Sequence, residues 1–359
     1  MKIISMLPIL AFGDAVGNDT IAVHNSLKKA GYDSMIVASV IDGRLGDGIA
    51  TSADDLSFIK SEDIVIYHLS TGHELNWRFA KLDCHKIIKY HNITPPEFFF
   101  GYNTQALVNC MEGYRALHAL AKQAEFCFAD SDYNKQELIK AGYRCPIDVL
   151  PILIPFDDYK KEPDAEVRQK MNEDGYTNIL FTGRIVPNKR QEDVIATFYH
   201  YHKYYNPKSR LILIGNYTGM ESYYESLQRY IDELGAEDII FPGHISFPAI
   251  LAYYATADLF LCMSDHEGFC VPLVEAMNFE VPVLAKNTTA IPYTLGGSGM
   301  MLEDNDPLVA ATAINRILTD TQLRETIIAN QNERLQDFSH DRIEQQLLCE
   351  IKKFIDNMN

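Results

Sequence analysis

The stretch from Asp258 to Lys286, DLFLCMSDHEGFCVPLVEAMNFEVPVLAK, sets two short apolar runs, DLFLCMS and VPVLAK, on either side of a loop and a helical pattern. Runs that stay apolar throughout read as strands covered on both faces, and Pro272 fits the first turn of a helix through LVEAMNF. Strand, helix and strand in that order make a parallel pair. The same alternation extends outward. KIISMLPIL, DSMIVASVI, DIVIYHL, HKIIKYHN, FCFADS and IDVLPIL recur in the first half; TNILFTG, RLILIG and DIIFPG precede the quoted stretch in the second. The expected class is α/β, with two Rossmann-like units in tandem, and ligands should bind beyond the carboxyl ends of the strands.

Length and composition agree with two domains. The chain has 359 residues, 47% of them apolar, and no run of 18 apolar residues that would span a membrane. MKIISMLPILAF resembles a weak secretory leader, but no small-x-small cleavage site follows, so a first strand is expected. A boundary is expected near PFDDYKKEPDAEVRQK, giving domains over 1–157 and 158–340 and a final helix over 341–359. In that helix Ile343, Leu347, Ile351 and Phe354 share one face and must be covered.

The seven Cys form no C-x-x-C pair and sit in apolar contexts, which suits a reducing, cytoplasmic compartment without a disulfide framework or structural zinc. The His show no metal-binding spacing, so no metal is expected. A net charge of −17 excludes broad binding of nucleic acid.

Glu267 and Glu275, with seven residues between them, would suggest a glycosidase pair, but the spacing is wrong for that. Glu275 projects from the helix and Glu267 from the loop before it, with backbone groups of Gly268, Phe269, Cys270 and Val271 at the helix start. Hydroxyl-binding carboxylates around an anion-binding helix start suit a sugar–phosphate–sugar ligand. In FTGRIVPNKR, Gly183 allows a sharp turn after a strand, and Arg184 and Lys189 can bind a diphosphate and stabilise it as a leaving group.

Taken together, FTGRIVPNKR, FPGHIS, YYATADLFL and SDHEGFCVPLVEAMNFEVPVLA, in that order, resemble the nucleotide-binding half of the retaining glycosyltransferases of family 4, whose GT-B fold has two Rossmann-like domains with parallel sheets facing a central cleft. The resemblance implies an acceptor-binding first domain and a nucleotide-sugar-binding second domain. It implies that Arg184 and Lys189 bind the donor diphosphate, Glu275 the ribose hydroxyls, and Glu267 the donor-sugar hydroxyls. Backbone at Phe269, Cys270 and Val271 would meet sugar and phosphate, and His244 and Ile245 would lie near the base. Glu280 stands where the family has Gly at a helix end, so an altered C-cap is expected.

In the first domain, GDAVGND places Gly13 and Gly17 before a helix through His24 to Lys29. They suit a close approach to phosphate or acceptor, or a plain turn capped by Asn18 or Asp19. His91, in a YHNITPPEFF segment similar to one in bacterial family members, would face donor or acceptor as a catalytic candidate, or be a satisfied structural His; His68 has the same topology. Asp130-Ser131-Asp132 reads as a helix cap and not as a metal motif. Arg78, Lys81, Lys86 and Lys89 near PPEFFFGY motivate peripheral association with the inner membrane face.

The expectation is therefore transfer of a hexose or deoxyhexose from a nucleoside-diphosphate sugar to a glycan or lipid-linked glycan hydroxyl, with retention and without a cofactor. The alternatives are a silent nucleotide-sugar-binding subunit and a GT-B-like epimerase.

Overall fold

The computed structural model describes residues 1–243 and 245–358, so His244 lies outside the described residues. Two compact units emerge: 1–97 with 105–156 and 338–359, and 98–104 with 157–337.

The first unit holds the parallel strands β1 (Ile3–Leu10), β2 (Ser34–Ile41), β3 (Thr51–Ser52), β4 (Ile64–Leu69), β5 (His85–Tyr90), β6 (Phe126–Ala129) and β7 (Ile147–Val149), in the order β3-β2-β1-β4-β5-β6-β7. Helices α1 (Ala15–Lys29), α2 (Glu74–Ala80), α3 (Thr104–Leu120) and α4 (Asp132–Ala141) connect them. All six residues of β4 are buried, as expected for a central strand covered on both faces. The strand order reverses between β1 and β4, so the crevice typical of such sheets opens beyond Leu10 and Leu69.

The second unit begins with α5 (Ala165–Glu173) and β8 (Thr177–Thr182), followed by α6 (Gln191–Tyr204), β9 (Ser209–Ile214), α7 (Glu221–Leu234), β10 (Ile239–Gly243), α8 (Phe247–Ala255) and β11 (Leu259–Cys262). It closes with α9 (Val271–Asn278), β12 (Val283–Lys286), α10 (Ile291–Leu295), β13 (Met300–Leu302), α11 (Pro307–Thr319) and α12 (Thr321–Leu335). The sheet order is β10-β9-β8-β11-β12-β13, reversing between β8 and β11. DLFLCMSDHEGFCVPLVEAMNFEVPVLAK is thus β11–α9–β12, with Phe260 opposite Val283 in parallel register and Pro272 in the first turn of α9. Phe260, Leu273, Met277 and Val283 bury into one core, which anchors the loop before α9.

The last helix, α13 (His340–Met358), belongs to the first unit. It lies against α1, buries Ile343, Leu347 and Ile351, and is pinned by a 3.0 Å pair from Lys29 Nζ to Glu344. Segment 98–104 groups with the second unit, where Asn103 Nδ2 donates to Gly219 O at 2.6 Å and Phe98 meets the His266 ring at 6.4 Å.

Three local expectations are revised. Helix α1 starts at Ala15, so Gly17 lies inside its first turn, and Asp14, not Asn18 or Asp19, caps the helix by accepting from Gly17 N–H at 3.1 Å. A Cβ at Gly17 would lie 2.7 Å from Ala11 O, a purely local reason for glycine. The end of α9 keeps the usual left-handed residue: Glu280 takes φ +55°, at a cost of about 1 kcal/mol that Gly would avoid. Lys89 is buried in β5 and cannot join a surface patch with Arg78, Lys81 and Lys86. The Asp130-Ser131-Asp132 junction does act as a cap, with Ser131 accepting from Asn134 N–H.

Candidate functional site

The loops leaving β8 and β11 flank the reversal point of the second sheet and are tied to each other. Asp265 N–H donates to Asn188 O at 2.9 Å, and Asn188 Nδ2 donates to His266 O at 3.0 Å. Asp265 also receives Lys286 Nζ at 2.5 Å and stands 3.5 Å from Arg190. Within this frame Lys189 Nζ donates to both Glu267 oxygens, each at 2.6 Å. Burial lowers the Lys189 pKa, but the Glu267 charge and hydrogen bond outweigh it and leave the ammonium above its ordinary value. Lys189 keeps 19% of its side-chain exposure and Glu267 7%, so the pair is largely withdrawn from solvent and not on open surface.

Arg184 behaves differently. Gly183 turns the chain at φ +141°, a conformation side-chain-bearing residues rarely take. Gly215, after β9, passes so close that a Cβ on it would lie 1.8 Å from Gly183 O. This glycine contact directs the next residue outward: Arg184 is exposed, and among the described residues its guanidinium has no hydrogen bond or ion pair.

Glu275, in α9, is held from two other elements. Tyr159 and Tyr254 hydroxyls donate to its two oxygens, each at 2.6 Å, and the Tyr254 hydroxyl also shares a 2.5 Å hydrogen bond with Thr182 at the end of β8. Burial raises the Glu275 pKa, opposed by the tyrosine hydrogen bonds. Each oxygen retains a second acceptor site for a ligand hydroxyl.

The start of α9 is set by Cys270, at φ +72°; its sulfur lies within 4.8 Å of that of Cys262 at the end of β11, whose thiol donates to Ser264 Oγ at 3.4 Å. Glu267 N–H donates to Thr289 Oγ1 at 2.9 Å, and Thr294 Oγ1 donates to Phe269 O at 2.5 Å, fixing the loop through Gly268 before Val271 begins the helix. Ile245 packs partly buried against the core.

In the first unit, His68 lies within β4 and His91 directly follows β5, and both join a buried network. His91 Nδ1 bonds Asp130 at 2.7 Å and its Nε2 faces His68 Nδ1 at 2.9 Å. Lys89 Nζ lies 3.3 Å from Asp19 and 3.5 Å from Asp130. Burial, then the neighbouring His91 and Lys89, push the His68 pKa well below its ordinary value, and burial raises that of Asp19. Both ring nitrogens of His91 are thus engaged inside the first unit.

Asn188, Asp265, Tyr159, Tyr254 and Gly215 escape a reading by motif. Gly215, directly after the apolar run RLILI, was the one with a sequence cue; Tyr159 and Tyr254 reach Glu275 only through tertiary packing. Among the described residues, no helix is long and apolar enough to cross a membrane.

The chain is similar to several known proteins. It is 27% identical over 263 residues to the O-antigen chain mannosyltransferase B of Escherichia coli, covering 70% of this chain and 66% of that one. It is 28% identical over 239 residues to the capsular polysaccharide biosynthesis glycosyltransferase CapM of Staphylococcus aureus, covering 62% and 61%. The chain thus spans less than two thirds of the length of either curated relative. Among solved structures, HepE of Anabaena in complex with UDP and glucose superposes with a TM-score of 0.78 at 20% identity, over 98% of this chain and 100% of that one. Sucrose-phosphate synthase from Thermosynechococcus elongatus gives 0.77 at 17%, over 99% and 100%. At these identities the likeness is one of fold, the GT-B class of two Rossmann-like α/β units. The family described as glycosyl transferases group 1 matches residues 163–334, which include Arg184, Lys189, Glu267 and Glu275 but not Tyr159.

Proposed function

We propose that the protein is a retaining glycosyltransferase that moves a hexose or deoxyhexose from a nucleoside-diphosphate sugar to a hydroxyl of a glycan or lipid-linked glycan. The observation that carries this reading is the pairing of Lys189 with Glu267 at the sheet reversal point, one loop from an outward-facing Arg184. A diphosphate arriving there meets an uncommitted guanidinium and an ammonium that can be drawn from its carboxylate. Glu267 would then bind donor-sugar hydroxyls, and Glu275, positioned by its tyrosines, the ribose hydroxyls. Arg184 and Lys189 stabilise the leaving diphosphate by charge, as a divalent ion does elsewhere, and one of its oxygens takes the acceptor proton on the face it leaves. The mannosyltransferase and capsular relatives support a hexose and a glycan acceptor. In this reading the acceptor is reached from the cytoplasmic side, with the protein peripheral to the membrane.

The test is a thermal-shift screen of UDP-, GDP-, dTDP- and ADP-sugars, followed by slow hydrolysis of whichever donor stabilises. One nucleotide family should stabilise, and Arg184→Ala should abolish the shift. No shift with any donor would favour a silent subunit, and release of an altered nucleotide sugar without acceptor would favour an epimerase.

A further inference from the structure

Directly beneath the Lys189–Glu267 pair lie two thiols that the proposed transfer does not use. Cys262 closes β11 and Cys270 opens α9; both are free and buried. Their sulfur atoms and a Glu267 oxygen lie within 4.8 Å of one another. Two thiols and one carboxylate this close form, once the thiols are deprotonated, a ligand set for a soft or borderline divalent cation such as Zn²⁺. Tetrahedral bonds of 2.0–2.3 Å place ligand atoms about 3.5–3.8 Å apart, so contraction by about an ångström completes the geometry.

We infer that Cys262, Cys270 and Glu267 form a binding site for a thiophilic divalent cation, in competition with Lys189. Binding as thiolates releases two protons to solvent, and the cation replaces the ammonium on at least one Glu267 oxygen. The fourth position stays open to water or another oxygen ligand. Lys189, partly exposed, can swing aside. The buried Asp19–His68–His91 group in the first unit also brings its ligand atoms within 4.8 Å, but it lacks that freedom. There Lys89, with 1% side-chain exposure, is locked 3.3 Å from Asp19 and bonded to Leu150 O. No thiolate offsets its charge. The cation site exists independently of the donor-site reading; its consequence, inhibition of transfer, rests on that reading.

The probe is Co²⁺ added to the reduced full chain, read by absorption. Wild type should show a thiolate charge-transfer band of two-sulfur intensity with tetrahedral d–d bands. Cys262→Ser and Cys270→Ser should lose both features, while the double variant Cys127→Ser/Cys145→Ser, which removes the other close thiol pair with sulfurs 3.6 Å apart, should retain them. Lys189→Met removes a competing cation and should tighten Co²⁺ binding roughly tenfold; Glu267→Gln should weaken it by roughly as much. The last two keep both thiols, so the proposal stays testable even where a cysteine variant fails to fold. Weak octahedral absorption, a spectrum that survives in well-folded Cys270→Ser, loss of the spectrum in Cys127→Ser/Cys145→Ser, or indifference to both Lys189→Met and Glu267→Gln would overturn the site. Tetrahedral binding without any loss of nucleotide-induced thermal stabilisation would leave the site standing and overturn only its inhibitory consequence.

Discussion

Lys189 Nζ rests 2.6 Å from both carboxylate oxygens of Glu267, across the reversal point of the second sheet. In the proposed reading one residue of the pair serves a diphosphate and the other a sugar, yet without ligand each neutralises the other. The site is thus stored as an ion pair, and the diphosphate must draw Lys189 away before Glu267 is freed for hydroxyls. In that reading donor binding is ordered at the level of side chains, and the charge exchange comes first.

Two cations in one loop should respond differently to removal. Lys189→Ala leaves Glu267, at 7% side-chain exposure, without its partner, and should destabilise the fold by about 2 kcal/mol as well as lower turnover about a hundredfold or more. Arg184→Ala removes an exposed group, and should change stability by less than about 0.5 kcal/mol while lowering turnover by a similar factor. Melting curves beside kcat separate the two. Equal stability loss in both variants would contradict the difference in pairing, and near-wild-type transfer by both would refute their roles.

Glu275 makes a pH prediction. Its carboxyl pKa is raised by burial, so the folded state holds that proton to higher pH than the unfolded chain. The associated stability is present below the ordinary carboxyl pKa and is lost as pH rises through the raised one. Glu275→Gln should flatten this part of the stability–pH curve relative to wild type. The same variant should weaken nucleotide-sugar binding about tenfold, because the tyrosine-held amide offers one acceptor oxygen in place of two charged ones. Parallel stability curves for the two proteins would show that Glu275 does not titrate in this range.

Gly215 tests whether backbone packing aims Arg184. A methyl group there would stand 1.8 Å from Gly183 O and must push the β8 loop aside. Gly215→Ala should cost about 1–3 kcal/mol and weaken donor-induced thermal stabilisation, although it changes no residue assigned to the donor. Wild-type stabilisation by the donor would mean that the loop absorbs the displacement without moving Arg184.

The fold was legible because parallel strands are apolar on both faces and leave unmistakable runs. Only the two-residue β3 and three-residue β13 escaped, being too short for a run. The placement of Lys189 and Glu267 after strand ends and of Glu275 in a helix was legible because strand ends and helix starts have recognisable chemistry. Tyr159 and Tyr254 were not, since reaching Glu275 from a linker turn and from α8 depends on packing. Lys89 misled for a related reason. In KIIKY Lys89 shares a face with Ile87 in a strand covered on both sides, and only the tertiary positions of Asp19 and Asp130 make its burial tolerable.

That burial leads to the strongest stability effect expected. Lys89 lies between Asp19 and Asp130, whose carboxylates are 0% and 1% exposed, and it is the ammonium within 3.5 Å of both. Lys89→Met keeps the length and apolar stem but leaves the two buried carboxylates facing only His91, His68 and, for Asp19, the Leu153 N–H, so the fold should lose about 3–5 kcal/mol near neutral pH. Asp19 already has a raised pKa from burial, which Lys89 opposes; without the lysine it rises further. Protonation then relieves the unpaired charge, so the gap between variant and wild type should narrow as pH falls through the raised Asp19 pKa. Urea unfolding of both proteins across the acid range measures that gap. A constant difference would mean the lysine stem, and not its charge, is what the network needs.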